Sequence, residues 1–224
     1  KLRTFLTGFA VAWGIFMLIV LLGAGNGLIH AFEQNSSERA LNSIRIFPGL
    51  TTQSYDGLKE GRRIELDNRD LKDSETQFPE NISSVGATVR QSALSISFGK
   101  EYVNLSLLGV YPNYIDIEAI KTADGRFINV TDLKERRKVI VLHRKSADIL
   151  FGKTHTNPIG QFVNANGIAY QVVGIYNDQG NSEPSEAYIP FSTLQTIYNK
   201  GNKLNNILLT TEGLTSIESN DEFE

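Results

Sequence analysis

The chain has 224 residues, of which 41% are hydrophobic and 21% charged, and its formal net charge is −3. These values fit one or two ordinary domains and exclude a disordered chain, a collagen-like repeat and a nucleic-acid binder that works through bulk positive charge. The absence of cysteine excludes a disulfide framework, a thiolate metal site and a cysteine nucleophile.

The average conceals a division. Between Arg3 and Glu33 the only titratable side chain is His30. Phe5 to Ala24 is a largely apolar run of about 20 residues, the length that about 30 Å of hydrocarbon requires at about 1.5 Å per residue. The run predicts a membrane-spanning helix in contact with lipid. With Lys1 and Arg3 taken from the 22 basic residues, 20 face 25 acidic ones, so the remainder carries −5 and is unsuited to nucleic acid. Lys1 and Arg3 precede the run and Glu33 and Glu38 follow it, which places the N-terminus in the cytoplasm and the polar part outside. A domain of this size buries a core without disulfides, so an extracytoplasmic location is compatible with zero cysteines.

A cleaved signal peptide is the rival reading, because the run ends at small residues such as Gly23 and Gly25. Such peptides carry a shorter apolar core of about 7 to 15 residues. Met17 is the only methionine, so the chain is expected to begin after its natural start. Leu28, Ile29, Phe32 and Leu41 recur at roughly helical spacing and predict one helix continuing to about Asn42. Gly8, Gly14, Gly23 and Gly27 punctuate it. The Gly23–Gly27 spacing admits a close helix neighbour, although glycine is also simply common in membrane helices.

From Ser43 onward, short β-type runs alternate with helical patterns, which predicts an α+β or α/β domain. Ser43 to Ile46 reads as a strand that stops near Pro48 and Gly49, 51–61 as a surface loop, and Asp67 to Gln77 as a surface helix. Ile82 to Arg90, Ala93 to Phe98 and Tyr102 to Val110 read as three separate β stretches. Val139 to Leu142 is a buried strand, and Arg144 to Phe151 a helix with Ala147, Leu150 and Phe151 on one face, ended by Gly152 as a left-handed cap. Gln161 to Asn164 and Ile168 to Ile175 flank an Asn166–Gly167 hairpin turn. Ala187 to Ile189 ends at Pro190, and Ser192 with Gln195 predicts a capping box opening a short helix with Leu194, Ile197 and Tyr198 inward. Asn206 to Thr210 is the last strand, followed by an acidic tail to Glu224.

The chemical motifs are decoys. Gly152, Lys153 and Thr154 resemble the end of a P-loop, but Ala147 stands where the loop needs glycine to fold its amides around phosphate. Gly23 and Gly25 begin a dinucleotide-type pattern that Leu28 breaks. His30, His143 and His155 stand isolated from other metal ligands, and His143 at a strand end is a structural residue or, less simply, a base. Glu118, Asp124 and Asp132 could pair as acid and base, but carboxylates in polar loops are usually solvated. The stretch 134–138 reads as a basic surface turn. Asn35, Asn81, Asn104 and Asn129 head chance glycosylation sequons. No catalytic, cofactor-binding or metal residue is assigned, and no cofactor is expected.

Arg3 to Thr7, Trp13, Gly14 and the stretch Leu21 to Leu28 resemble the first transmembrane helix of MacB-like ABC transporter permeases, the group that also includes FtsX-type and lipoprotein-release permeases. Leu108 to Val110, Asp124 to Phe127, Asp132, Val139 to Leu142, Leu150 to Gly152, Pro158 to Gly160, Val172 to Gly174 and Ala187 to Pro190 are similar, in order and spacing, to that family's periplasmic core domain. Read on their own, Gly125, Gly152, Pro158 and Gly160 are fold-specifying residues.

The resemblance implies half of a type VII ABC transporter in the bacterial inner membrane. It implies a homodimer working with a cytoplasmic ABC ATPase subunit, and often with a periplasmic adaptor and an outer-membrane channel. It also implies a two-lobed periplasmic domain: a porter-like βαβ lobe from 43–111 and 204–224, and an inserted α/β lobe from 112–203, after a helix and stalk over 1–42. In the family, ATP-driven closure is passed along the first helix to the periplasm, a process termed mechanotransmission. The chain lacks a nucleotide-binding domain and the three further helices of a complete permease, so on this reading the ATPase is a separate chain or a missing region. The reading from another class is a single-span sensor or receptor ectodomain that binds a ligand or a protein.

Overall fold

The computed structural model of the chain describes residues 2–37, 43–77, 82–152, 156–177 and 185–211. The chain divides into two compact units, Lys1–Leu41 and Asn42–Glu224. Helix α1, Leu2–Ser37, fills the first. Its 36 residues form a rod of about 54 Å at about 1.5 Å per residue. The apolar span within it is Phe5–Leu28, with mean hydropathy 2.5, four residues longer than the sequence run suggested. Thr7, polar within the span, donates its hydroxyl to the Arg3 carbonyl at 2.9 Å and so needs no water. Residues 38–42, the end of the expected helical extension, lie outside the described residues, as do Lys153, Thr154, His155, Asn81 and the acidic tail from 212.

The second unit is built on a nine-stranded mixed sheet. In chain order it contains β1 (Ser43–Ile46), β2 (Leu66–Asp67), α2 (Asn68–Gln77), β3 (Ile82–Phe98), β4 (Glu101–Val110), α3 (Tyr114–Ile117), β5 (Lys121–Gly125), α4 (Val130–Lys134) and β6 (Val139–His143). There follow α5 (Arg144–Phe151), β7 (Phe162–Ala165), β8 (Ile168–Asn177), β9 (Glu186–Pro190), α6 (Phe191–Ile197), β10 (Lys203–Leu204) and β11 (Asn206–Thr211). The spatial order is β1-β11-β3-β4-β9-β6-β8-β5, with β7 bridging β3 and β8. The β4–β9 and β6–β8 pairs are parallel, and β2 with β10 makes a separate two-stranded ribbon.

Strand alternation sorts the core onto two faces. Leu107, Ile140, Leu142, Ile175, Ile189, Ile207 and Leu209 point to the face that also buries Ala147, Leu150 and Phe151 of α5 and Phe191 and Leu194 of α6. Their neighbours Leu108, Val141, Tyr176, Tyr188 and Leu208 point the other way, against Tyr114 and Ile117 of α3 and against Phe127. Because both faces are covered, the central strands read as continuous apolar runs, Val139–His143 above all.

Three local expectations are corrected. Ile82 to Phe98 is one strand, because the irregularity between Gln91 and Leu94, with Ala93 at φ 56°, bulges the chain without ending its pairing with β4. Gly152 is right-handed at φ −57°, and its N–H continues the helical pattern to the Asp148 carbonyl, so it is no left-handed cap. Helix α6 starts after Pro190 without a side-chain cap, which puts Ser192 inside the first turn. There its hydroxyl donates to the Leu133 carbonyl, while Gln195 donates to Asn68 Oδ1 at 3.0 Å.

The tightest packing is at the β5 edge. Gly125 and Gly174 face each other across the β5–β8 ladder. A Cβ on Gly125 would strike the Val173 carbonyl, and one on Gly174 the Arg126 carbonyl. Gly125 also has φ 73°, which a side chain disfavours. Gly174→Ala is expected to lower unfolding free energy by about 1–3 kcal/mol through overpacking. The denaturant midpoint checks this, and an unchanged midpoint would refute the interlock.

Candidate functional site

The candidate carboxylates are each engaged by a different arginine, so they do not assemble an acid–base pair. Arg45 of β1 bonds Glu118 beyond α3, and Arg144 at the start of α5 bonds Asp124 of β5. Asp132 is the case the sequence misjudged: it is fully buried, with 0% exposure, where a solvated loop carboxylate was expected.

Asp132 is buried because its oxygens are shared among several donors. Its backbone N–H donates to Asn129 Oδ1 at 2.9 Å, and Asn129 N–H returns a bond to Asp132 Oδ2 at 3.1 Å, a reciprocal capping box that opens α4. Arg126 adds a forked contact, with Nη2 3.1 Å from Oδ1 and Nη1 on Oδ2, and Nη1 also reaches the Phe127 carbonyl at 3.0 Å. Arg137 lies 3.8 Å from Oδ1. The Asn-x-x-Asp spacing was the available sequence signal, obscured by reading Asn129 only as a sequon head.

This cluster links separate elements. It fastens the turn after β5 onto α4, and α4 onto α6 through the Ser192 bond to Leu133 and the Thr193 hydroxyl bond to the Arg137 carbonyl at 3.0 Å. Helix α6 packs in turn on β3, β4 and β9. At the other edge β1 pairs with β11, and β11 with β3. Arg45 ties β1 to the α3 region and rests 5.9 Å from the Phe47 ring centre. The chain that leaves α1 therefore enters, at β1, a sheet cross-tied along its breadth.

His143 plays a structural part. It is buried, its Nδ1 accepts the Lys145 N–H at 3.2 Å to cap α5, and its ring meets Tyr176 edge-on at 5.1 Å. The basic stretch 134–138 is a turn in which Arg136 takes φ 52° and Arg137 bonds Glu135 at 2.8 Å. Among the described residues no cluster of three metal-ligating side chains occurs. An open hollow of about 410 Å³ borders the glycine interlock, lined by Ile159, Gly160, Gln171, Val172 and Val173 with Arg126, whose guanidinium is engaged by Asp132. In α1, Phe5, Phe9, Trp13 and Phe16 stack in succession at centroid distances of 6.5, 6.1 and 5.7 Å, forming an aromatic ridge along one side of the span.

The described residues thus form an apolar helix followed by a mixed sheet whose elements are cross-tied by ion pairs. The sequence matches the MacB-like periplasmic core domain over residues 4–221, and the chain belongs to that family. It is 27% identical over 200 residues to the macrolide export ATP-binding/permease protein MacB of Bartonella henselae, covering 88% of this chain and 29% of that protein. It is 26% identical over 214 residues to the same-named protein of Aggregatibacter actinomycetemcomitans, covering 92% and 32%. The chain thus spans about a third or less of these relatives. Among solved structures, the periplasmic region of MacB from Actinobacillus actinomycetemcomitans superposes with TM-score 0.67 at 23% identity, covering 84% of this chain and 83% of that one. The extracellular domain of the ABC-type transporter YknZ from Gram-positive bacteria gives 0.61 at 22% identity, covering 79% and 88%. These likenesses show a shared fold.

Two predictions follow from the packing. Asp132→Ala removes the acceptor of the capping box and leaves Arg126 without its carboxylate, so unfolding free energy should drop by about 1–3 kcal/mol. Chemical denaturation measures it, and a change within error would contradict the clamp. The Tyr188 ring lies tilted against those of Tyr176 and Tyr114, at centroid distances of 4.7 and 5.5 Å. Burial first, then these neighbouring hydroxyls, pushes its ionisation well above the ordinary 10.0. The folded state thus requires the neutral phenol. Its contribution to stability is intact below the unfolded value and is lost as pH rises beyond it. Thermal melts above about pH 10 should show that loss, and Tyr188→Phe should reduce it, while Tyr170 and Tyr111, also raised by burial, retain the rest.

Proposed function

We propose that this chain is the first helix and periplasmic domain of an ABC-type export permease of the bacterial inner membrane, with its N-terminus cytoplasmic. The observation that carries this is the continuity of α1, which crosses the whole Phe5–Leu28 span and runs on to Ser37, shortly before β1. Family membership and the two basic residues at the start of the span support the orientation. The relatives carry ATP-binding and permease functions in one name. On this reading the ATP-hydrolysing engine lies outside these 224 residues, in a separate ABC ATPase subunit or in a further region of the same protein, and no residue here acts as a catalyst.

On this reading α1 is a push rod. Nucleotide-driven movement at its cytoplasmic end moves β1 and, through the β1–β11–β3 pairing, the rest of the sheet. A second copy of the permease completes the working unit, and a periplasmic adaptor and outer-membrane channel receive the cargo. The porter-like lobe, 43–111 with 204–224, and the inserted lobe, 112–203, are joined by the β4–β9 pairing and move together during the cycle. The cargo class stays open among drugs or peptides, lipoproteins and the control of cell-wall hydrolases.

The full-length permease should co-purify with an ABC ATPase from native membranes. Paired prolines at Gln34 and Ser36, which remove two backbone N–H donors from the last turn of α1, should leave that complex and its ATP hydrolysis in place while abolishing export. Export at the unmodified rate would refute the rod, and absence of any ABC ATPase, whether bound as a partner or fused in the full-length protein, would favour the sensor reading.

A further inference from the structure

The β7–β8 hairpin turns on two exposed residues, Asn166 at φ 52° and Gly167 at φ 83°. Ala165 and Ile168 pair on either side of them. An asparagine before glycine sets its side-chain carboxamide beside the least hindered of backbone nitrogens. We propose that Asn166 is a site of spontaneous deamidation and that Asn164 guards it in the folded domain. The reaction needs only water. The Gly167 nitrogen gives up its proton and bonds to Cγ of Asn166, the Cγ–Nδ2 bond breaks, and ammonia leaves with that proton, closing a succinimide. Water then opens either imide carbonyl to give aspartate or isoaspartate, with no change of oxidation state.

The first step requires a Gly167 N–H that is free to lose its proton, and here it is held: it donates to Asn164 Oδ1 at 2.8 Å. Attack also requires the backbone to swing the nitrogen toward Cγ, which the Ala165–Ile168 pairing resists. Were the site to react, aspartate would add one negative charge at the hairpin tip. Isoaspartate would lengthen the backbone within a two-residue turn and shift its register. Val163, Ala165 and Tyr170 are buried, and Ala165 pairs with Ile96 of β3, so that shift would loosen the hairpin from the main sheet.

The test is incubation of the full-length protein in mildly alkaline buffer, followed by peptide mass spectrometry that separates isoaspartyl from aspartyl product. The urea-unfolded chain should deamidate at Asn166 faster than the native one. Asn164→Ala should speed the native reaction about two- to tenfold, the span one net hydrogen bond commands. Asn164→Asp, which keeps an acceptor oxygen, should stay near the native rate. Hydrogen exchange at the Ile168 amide separates guarding from mere support of the hairpin: acceleration with protection retained is the expected result. Acceleration accompanied by lost protection, an unchanged rate in Asn164→Ala, or an unfolded chain that stays amidated would each overturn the proposal.

Discussion

A hydrocarbon layer accepts a polypeptide only when every backbone amide and carbonyl is paired within it, a constraint that the continuous helix Leu2–Ser37 is built to meet. Phe5–Leu28 meets it with an unbroken helix whose one threonine bonds back to its own backbone. The helix continues past the apolar span to Ser37, where an ordinary membrane anchor could stop. Stiffness of this kind is what a device that passes motion across a bilayer needs and what a simple tether does not.

On the proposed reading, the fold beyond it receives such motion through strands fastened across the sheet. Both faces of the central strands are buried, so none of those strands slides without breaking a core, and the alternation of Leu107 with Leu108 or Ile140 with Val141 commits each residue to one side. The Asp132 cluster and the Gly125–Gly174 contact secure the β5 edge, and Arg45 with Glu118 secures the β1 edge. The ionisable side chains near these places are thus occupied in joining elements. That use of charge fits a domain whose chemistry is mechanical.

Much of this was legible in the sequence because the signals are local. The apolar run is set by bilayer thickness, β1 by a four-residue alternation ended by Pro48, and the hairpin by Asn166–Gly167. The misreadings arose where tertiary contacts outweigh local pattern. The bulge looks like a break in the sequence because Gln91 and Ser92 are polar, yet pairing with β4 resumes at Leu94. Ser192 has capping-box spacing but bonds to Leu133, 59 positions away. Asp132 looked like a solvated loop residue because neither the Arg126 fork nor the reciprocal bond to Asn129 has an apolar pattern to announce it. The family resemblance included Arg126 and Asp132 among its positions, and the structure supplies the reason for them.

The central claim is that movement at the cytoplasmic end of α1 reaches the sheet. It is tested most directly by spin labels at the exposed Tyr55 of both copies of the full-length permease, with inter-label distances compared between nucleotide-free and ATP-trapped states. The account predicts a distance distribution that shifts on trapping in the native protein and stays fixed when α1 is broken beyond the membrane span. A shift that survives the broken helix, or no shift in the native protein, would contradict it.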